Sequence, residues 1–173
     1  MKSFTTNSVI YRKANIDDAH SIVNISLEIW RTTYKGLVSE KVIEARFETL
    51  NNRIEKTIDF IKSNNGYIVA EIDHTIVGYV HYLKSEDDKF LEYGQIKALY
   101  IKDINQRNGI GEILFENALN ELKLMGFKGV VIDCLVGNSA NEFYLKMGTH
   151  IDSIKEENFM NEILIENVHI MNL

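Results

Sequence analysis

The sequence predicts a mixed α/β protein, a mostly antiparallel sheet of about seven strands flanked by helices. Three observations predict it. Apolar residues recur at helical spacing up to Gly66, and from there the period shortens to that of strands. An amphipathic helix from Gly109 to Met125 then interrupts the strand runs. The chain closes on two more strand-like runs with a turn near Asn158 to Asn161.

Taken in order, Val9 to Ala14 reads as the first strand. Asn15 caps the helix that follows, and Asp17 and Asp18 sit in its first turn against the positive end of the dipole. Ala19, Ile22, Val23, Leu27 and Trp30 form its apolar stripe, which runs to about Tyr34 before Gly36 stops it. Ser39 to Glu48 and Arg53 to Lys62 are two further short helices, the second striped by Ile54, Ile58 and Ile61. Tyr67 to Ile72 and Thr75 to Leu83 are strands joined by a tight Asp73-His74 turn, and Tyr93 to Lys102 is another. In the Gly109 helix, Ile110, Ile113, Leu114, Ala118, Leu122 and Met125 are expected on one face, with Gly126 as terminator. Val130 to Val136, apolar except for Asp133, reads as a central strand. Ala140, Phe143, Tyr144 and Met147 mark a short helix ended by Gly148, and Ile151 to Leu173 holds the closing pair.

Composition bounds the function. The 173 residues suit one domain, 1–173, with no linker composition and no proline to punctuate one. A 45% hydrophobic, 25% charged balance is that of a folded protein rather than a disordered chain. A net charge of -6 and a pI near 5.4 exclude a protein built to coat nucleic acid, which needs a basic footprint. The single cysteine, Cys134, excludes an intrachain disulfide and a thiolate metal cluster, so no metal is expected. Met1 to Asn7 carries no apolar run of a secretory signal, and no stretch approaches the ~18 apolar residues of a membrane span. A cytoplasmic protein without membrane or nucleic-acid partners is the expectation.

The chemistry points to Asn105-Gln106-Arg107-Asn108-Gly109-Ile110-Gly111, between a strand and the amphipathic helix. The first amides of a helix have no internal partner, the dipole adds positive charge, and glycine lets an anion approach the backbone. The same glycines also suit a plain tight turn, and spacing alone does not separate these readings. Two other phosphate motifs fail. A dinucleotide G-x-G-x-x-G needs a small residue where Leu114 stands, and a P-loop needs Gly-Lys-Ser/Thr, which is missing.

Gln106-x-x-Gly109-x-Gly111 resembles the Q/R-x-x-G-x-G/A signature of the GNAT family of N-acetyltransferases. Gly94 to Ile101 resembles that family's fourth strand, and Asn138 to Gly148 its N…FY.K.G segment. Trp30-Arg31-x-Thr33-Tyr34-Lys35-Gly36 is similar to a W-R-x-T-Y-x-G run of some bacterial members. The matches extend over nearly the whole chain in the right order. The resemblance implies the acyl-CoA N-acyltransferase architecture, with acetyl-CoA in a gap between the fourth and fifth strands. Leu99, Tyr100 and Ile101 would pair with the pantetheine arm through their backbone. Gln106, Arg107, Asn108, Gly109, Ile110 and Gly111 would hold the pyrophosphate, with Asn138 and Ser139 nearby. Tyr144 falls where many members keep a tyrosine that protonates the departing thiolate. A phenol with an ordinary pKa of ~10 is protonated at neutral pH and suits that task, though its spacing also fits the short helix's core stripe.

One departure stands out. Members with a strand carboxylate as general base usually carry Glu eleven residues before the signature Gln or Arg, and here that slot is Gln95. Glu92 faces the other way by strand alternation, leaving His81, Glu28 or ordered water as alternatives. Trp30, Tyr34 and Gln95 are expected to border the acceptor amine, although core packing also accounts for Trp30 and Tyr34. The implied activity is direct transfer of acetyl from acetyl-CoA to a primary amine of a small molecule, peptide or protein, through a ternary complex. A second reading is a catalytically weak or inactive acyl-CoA-binding regulatory module, which Gln95 favours and Tyr144 opposes. The acidic net charge mildly favours a cationic acceptor, and a strand-mediated homodimer fits the architecture.

Overall fold

The computed structural model describes residues 8–63 and 66–173; Met1 to Asn7, read above for a signal, lie outside the described residues. Seven strands form one sheet in the order β1-β2-β3-β4-β5-β7-β6: β1 (Ile10–Lys13), β2 (Tyr67–Ile72), β3 (Thr75–Lys84), β4 (Tyr93–Ile101), β5 (Gly129–Leu135), β6 (His150–Phe159) and β7 (Glu162–Asn172). Every neighbouring pair is antiparallel except β4 with β5. The helices are α1 (Ala19–Thr32), α2 (Glu40–Glu48), α3 (Leu50–Ser63), α4 (Ile110–Leu124) and α5 (Ala140–Lys146). This is the mixed, mostly antiparallel sheet that the periodicity predicts.

Local chemistry sets the boundaries. Asn15 and Asp18 form a reciprocal cap over one 3₁₀ turn that leads into α1, and Ser39 caps α2. Asp73-His74 and Met160-Asn161 each place two consecutive residues at positive φ, the geometry of the two-residue turn that matches strand twist. Helix α3 starts at Leu50, three residues before the sequence expectation.

The two faces of the sheet bury separate cores. On one side α4 packs Ile110, Leu114, Phe115, Ala118 and Leu122 against Val80, Tyr82, Ile96 and Val130. On the other, α1 and α3 bury Ile22, Ile25, Ile29, Ile54 and Ile61 over Val69, Ile76 and Tyr79. The expected α4 stripe needs correcting at two positions. Ile113 and Met125 are exposed, at 41% and 56%, and Phe115 takes a core place. Stepping ~100° per residue from the Leu114–Ala118–Leu122 line puts Phe115 on the buried side and Ile113 far from it. Met125 caps the C-terminal end of the helix, after its last turn.

The joint between β4 and β5 positions the site. They pair only at Tyr93–Gly129, Gly94–Val130 and Gln95–Val131. Opposite β3, Lys97 is an extra residue: His81 pairs Ala98 and Tyr82 pairs Ile96. Such a bulge bends its strand. Beyond it, Ala98 to Ile101 follow β3, while Ile132 to Leu135 follow β7, and the two strands splay apart.

Candidate active site

The splay opens a cleft of about 500 Å³ between β4, β5, α5 and the turn before α4. Leu99, Tyr100, Ile101, Gln106, Arg107, Gly109, Gly111, Ser139, Asn138, Tyr34 and Tyr144 all line it, so most residues singled out in the sequence converge there. Asn108, Ile110, Trp30 and Gln95 are not in the lining. Ile110 is buried in the core, and Asn108 donates to the Asn105 carbonyl at 3.3 Å.

The turn before α4 leaves its backbone open to the cleft. Arg107 and Gly109 have φ of 61° and 79°, so Gly109 is the left-handed residue that starts the helix. A Cβ at Gly109 would meet nothing within 4 Å, whereas one at Gly111 would come within 3.0 Å of Ile101 Cδ1 and 3.6 Å of Phe143. The first glycine thus supplies conformation and the second supplies close packing of α4 on β4. The Gln106 side chain folds inward, donating to the Ile101 carbonyl at 2.9 Å and to Asp103 Oδ1 at 3.0 Å. Its amide is spent on holding the turn. Among these residues Arg107 contributes the full positive charge, beside the unpaired helix amides.

Tyr144 lines the opposite wall. Its ring packs against Phe115, Phe143 and His169, and its hydroxyl makes no hydrogen bond to a described residue. Burial pushes its pKa well above the ordinary phenol value, with lesser contributions from Cys134 and Tyr100, so the group is protonated at any working pH. A polar network fixes α5, too short to be stable alone. Asn141 Nδ2 donates to the carbonyls of Leu135 and Asn138 at 2.9 and 2.8 Å. Its Oδ1 therefore faces His169 Nε2 at 2.8 Å and Asn167 Nδ2 at 2.9 Å. That makes Nε2 the donor, leaving Nδ1 to accept from Thr149 Oγ1 at 3.0 Å, and burial lowers the His169 pKa in keeping with a neutral ring. Asn138 Oδ1 caps the helix through the Ala140 amide at 2.9 Å. Cys134 is buried and its thiol is pushed up to about 12 by burial, so it is no thiolate nucleophile.

Gln95 is buried at the root of the splay, with Nε2 donating to Asp133 Oδ2 at 2.9 Å. Asp133 lines the cleft, and the same oxygen takes Lys155 Nζ at 2.7 Å. Its Oδ1 accepts from none of the described residues. A carboxylate from β5 thus stands against the strand slot where an amide replaces the expected glutamate. Sequence reasoning passed over it, though a lone charge inside an otherwise apolar strand was the available signal. Glu166 lies close to this pair, its pKa raised by burial and by the Asp133 charge.

The other base candidates lie elsewhere. His81 is held between Tyr67, stacked at 4.1 Å, and Phe60, edge-on at 4.8 Å, and does not line the cleft. Burial and the Lys97 charge lower its pKa to about 4, and its Nε2 is buried without a hydrogen-bond partner among the described residues. Glu28 is exposed and borders a separate depression with Arg12 and Asp17. Glu92 pairs with Lys128 at the surface.

On the α1 face, Trp30 and Tyr34 stack at 4.1 Å with an interplanar angle of 1°. Trp30 Nε1 donates to Tyr100 Oη at 3.2 Å, and the Tyr34 and Tyr100 hydroxyls are 3.1 Å apart. Tyr34 reaches the cleft and Trp30 backs it. Arg46 lies 3.7 Å over the Trp30 ring. A cation–π contact is worth ~0.5–2 kcal/mol, small beside the several kcal/mol of taking a guanidinium out of water.

Residues 23–149 match the model of the acetyltransferase (GNAT) family. The chain is 25% identical over 163 residues to a spermidine N(1)-acetyltransferase of Thermoplasma acidophilum, covering 90% of this chain and 96% of that one. Its fold is similar to the PaiA N-acetyltransferase of T. acidophilum solved with coenzyme A, at TM-score 0.75 and 23% identity over 96% of this chain and 99% of that one. It is also similar to yncA of Salmonella typhimurium, a putative acetyltransferase solved with acetyl-CoA, at TM-score 0.72 and 15% identity over 95% and 94% of the two chains.

Proposed function

The chain belongs to the GNAT acetyltransferase family, and from that premise we propose that it moves acetyl from acetyl-CoA directly onto a primary amine within a ternary complex. The observation that carries this reading is the splayed β4–β5 joint ending on the left-handed Gly109 turn. The cleft fits the donor: Ala98 to Ile101 have no β5 neighbour, and the space beside Gly109 is open. Leu99 to Ile101 would hold an extended arm by their backbone, and the amides from Arg107 to Gly111 a pyrophosphate.

The donor supplies an acyl group activated as a thioester. The chain's residues do the rest. Asp133 accepts a proton from the incoming ammonium, giving the free amine that attacks. Tyr34 and Tyr100 border its approach from the α1 face. As the new C–N bond forms and the C–S bond breaks, the nitrogen sheds its second proton to solvent and Tyr144 gives its own to the departing sulfur; Tyr144 then recovers a proton from solvent, and Asp133 releases the one it took. The products are the N-acetyl amine and CoA with a free thiol. No acyl-enzyme is needed, in keeping with the protonated Cys134.

Initial rates measured against both substrates, with thiol release and the acetyl mass increment followed together, test this. Intersecting double-reciprocal lines are expected. Parallel lines would sink direct transfer, and CoA binding without transfer to any amine would favour the regulatory reading.

A further inference from the structure

Two lysines, Lys97 and Lys146, are among the side chains that line the cleft. Lys146 stands beside the first turn of α4, where Glu112 Oε1 holds its Nζ at 2.7 Å. Lys97 is exposed, and its side chain forms no ion pair or hydrogen bond with any described residue. One primary amine in the cleft is therefore tied down and the other is free to move.

The joint between β4 and β5 places the free one. Gln95 pairs Val131, so two residues further along these parallel strands Lys97 stands level with Asp133, where the strands have begun to part. Side chains alternate along a strand. Ile96 packs under α4, and Gln95 and Lys97 share the opposite face, on which Gln95 bonds Asp133. The bulge resets the alternation just after Lys97, since Ala98 packs on that same face against the core under α1 and α3. As the bulged residue Lys97 has no partner opposite on β3, and the β5 seam ends before it. Its amine thus shares the cleft with Asp133, Tyr34 and Tyr144, the residues assigned to the acceptor and to proton transfer.

We infer that Lys97 is itself an acetyl acceptor, modified within its own molecule when acetyl-CoA fills the cleft and no other amine does. This rests on the acetyl-transfer reading. The Lys97 ammonium passes one proton to Asp133, and its nitrogen attacks the thioester carbonyl carbon. The C–N bond forms as the C–S bond breaks, the nitrogen sheds its second proton to solvent, and Tyr144 protonates the sulfur. Acetylated Lys97, CoA with a free thiol and one released proton are the products, so atoms and charge balance. A tethered amine needs no binding step, which is the advantage of an intramolecular reaction. The step replaces a cation with a neutral amide at the acceptor end, so the protein blocks its own acceptor site when acetyl-CoA is plentiful and amine is scarce.

The test incubates the full chain with acetyl-CoA alone and follows acetyl at each lysine by peptide mass spectrometry. Lys56 on α3 and Lys123 on α4, exposed and outside the cleft lining, record uncatalysed acetylation in the same molecules. Lys97 should be modified about 10-fold or more faster than either, at a rate that does not change when the protein is diluted. Tyr144→Phe should slow Lys97 and leave the two control lysines as they were. Lys97 modified no faster than the controls, or at a rate that rises with protein concentration, overturns the inference. Spermidine, putrescine and β-alanine are then offered separately. An amine that is accepted should protect Lys97, and its turnover should decline as Lys97 fills. Lys97→Arg should escape that decline, and a decline that persists in it overturns the self-blocking. An added amine acetylated while Lys97 stays bare overturns this inference and leaves the transfer reading standing. Acetylation of neither removes both.

Discussion

The two walls of the cleft are made differently. The wall proposed for the donor is one continuous piece of chain, Leu99 to Gly111, offering mostly backbone: a strand edge, helix amides and a glycine at positive φ. The wall proposed for the acceptor is side chains from α1 and the residues after it, β4 and β5, held from behind by bonds between Trp30 and Tyr100 across 70 residues of sequence and between Gln95 and Asp133 across 38. The difference teaches where each specificity resides. Backbone geometry tolerates substitution around it and fixes a shared ligand, while side chains let the acceptor change with single residues.

Substitutions can break this division, and the largest effect is expected where the walls meet. Asp133→Asn should lower kcat/KM for the amine about 100-fold or more, with the KM for acetyl-CoA unchanged and the loss shrinking as pH approaches the pKa of the free amine. A loss that is independent of pH would assign Asp133 a structural role with Lys155. Tyr144→Phe should reduce turnover about 10-fold or more while CoA still binds; full turnover would remove the proton-donor assignment. On the donor side, Arg107→Gly frees a residue at φ 61° from backbone strain yet deletes a charge. It should raise the KM for acetyl-CoA roughly 3- to 10-fold without touching the acceptor KM. A shift in both constants would mean that the walls are not independent.

The smallest catalytic effect belongs to His81, behind the acceptor wall. Its folded pKa of about 4 lies below the ordinary 6.5, so its contribution to stability is complete above pH 6.5 and is lost as pH falls toward 4. His81→Phe should preserve the ring stack and spare about 2–3 kcal/mol of that acid destabilisation, with kcat unchanged at neutral pH. Thermal melts of both proteins across that range check it, and equal pH slopes would contradict it.

Legibility in the sequence follows the same division. The Asn15 cap, the Asp73-His74 turn, the Gly109 start of α4 and the strand before it are encoded by adjacent residues, and the structure places them as read. Tyr144 was legible as a position, but the Asn141–His169–Thr149 network that fixes it joins residues too far apart for spacing to reveal. Ile113 and Phe115 exchange roles through a small error of helical phase, which an apolar count cannot detect. Gln95 stood out as an amide in a glutamate slot, while the Asp133 carboxylate set against it required knowing that β5 lies beside β4.

The three-residue seam between β4 and β5 has a mechanical consequence. The sheet is two antiparallel leaves, β1 to β4 and β5, β7 and β6, stitched together at one end only, with α4 lying across the joint. An extended molecule in the splay acts as a brace that ties the leaves along their free length. Amide hydrogen exchange at Ala98 to Ile101 therefore reports how far the leaves are held shut, and it should slow when CoA is bound.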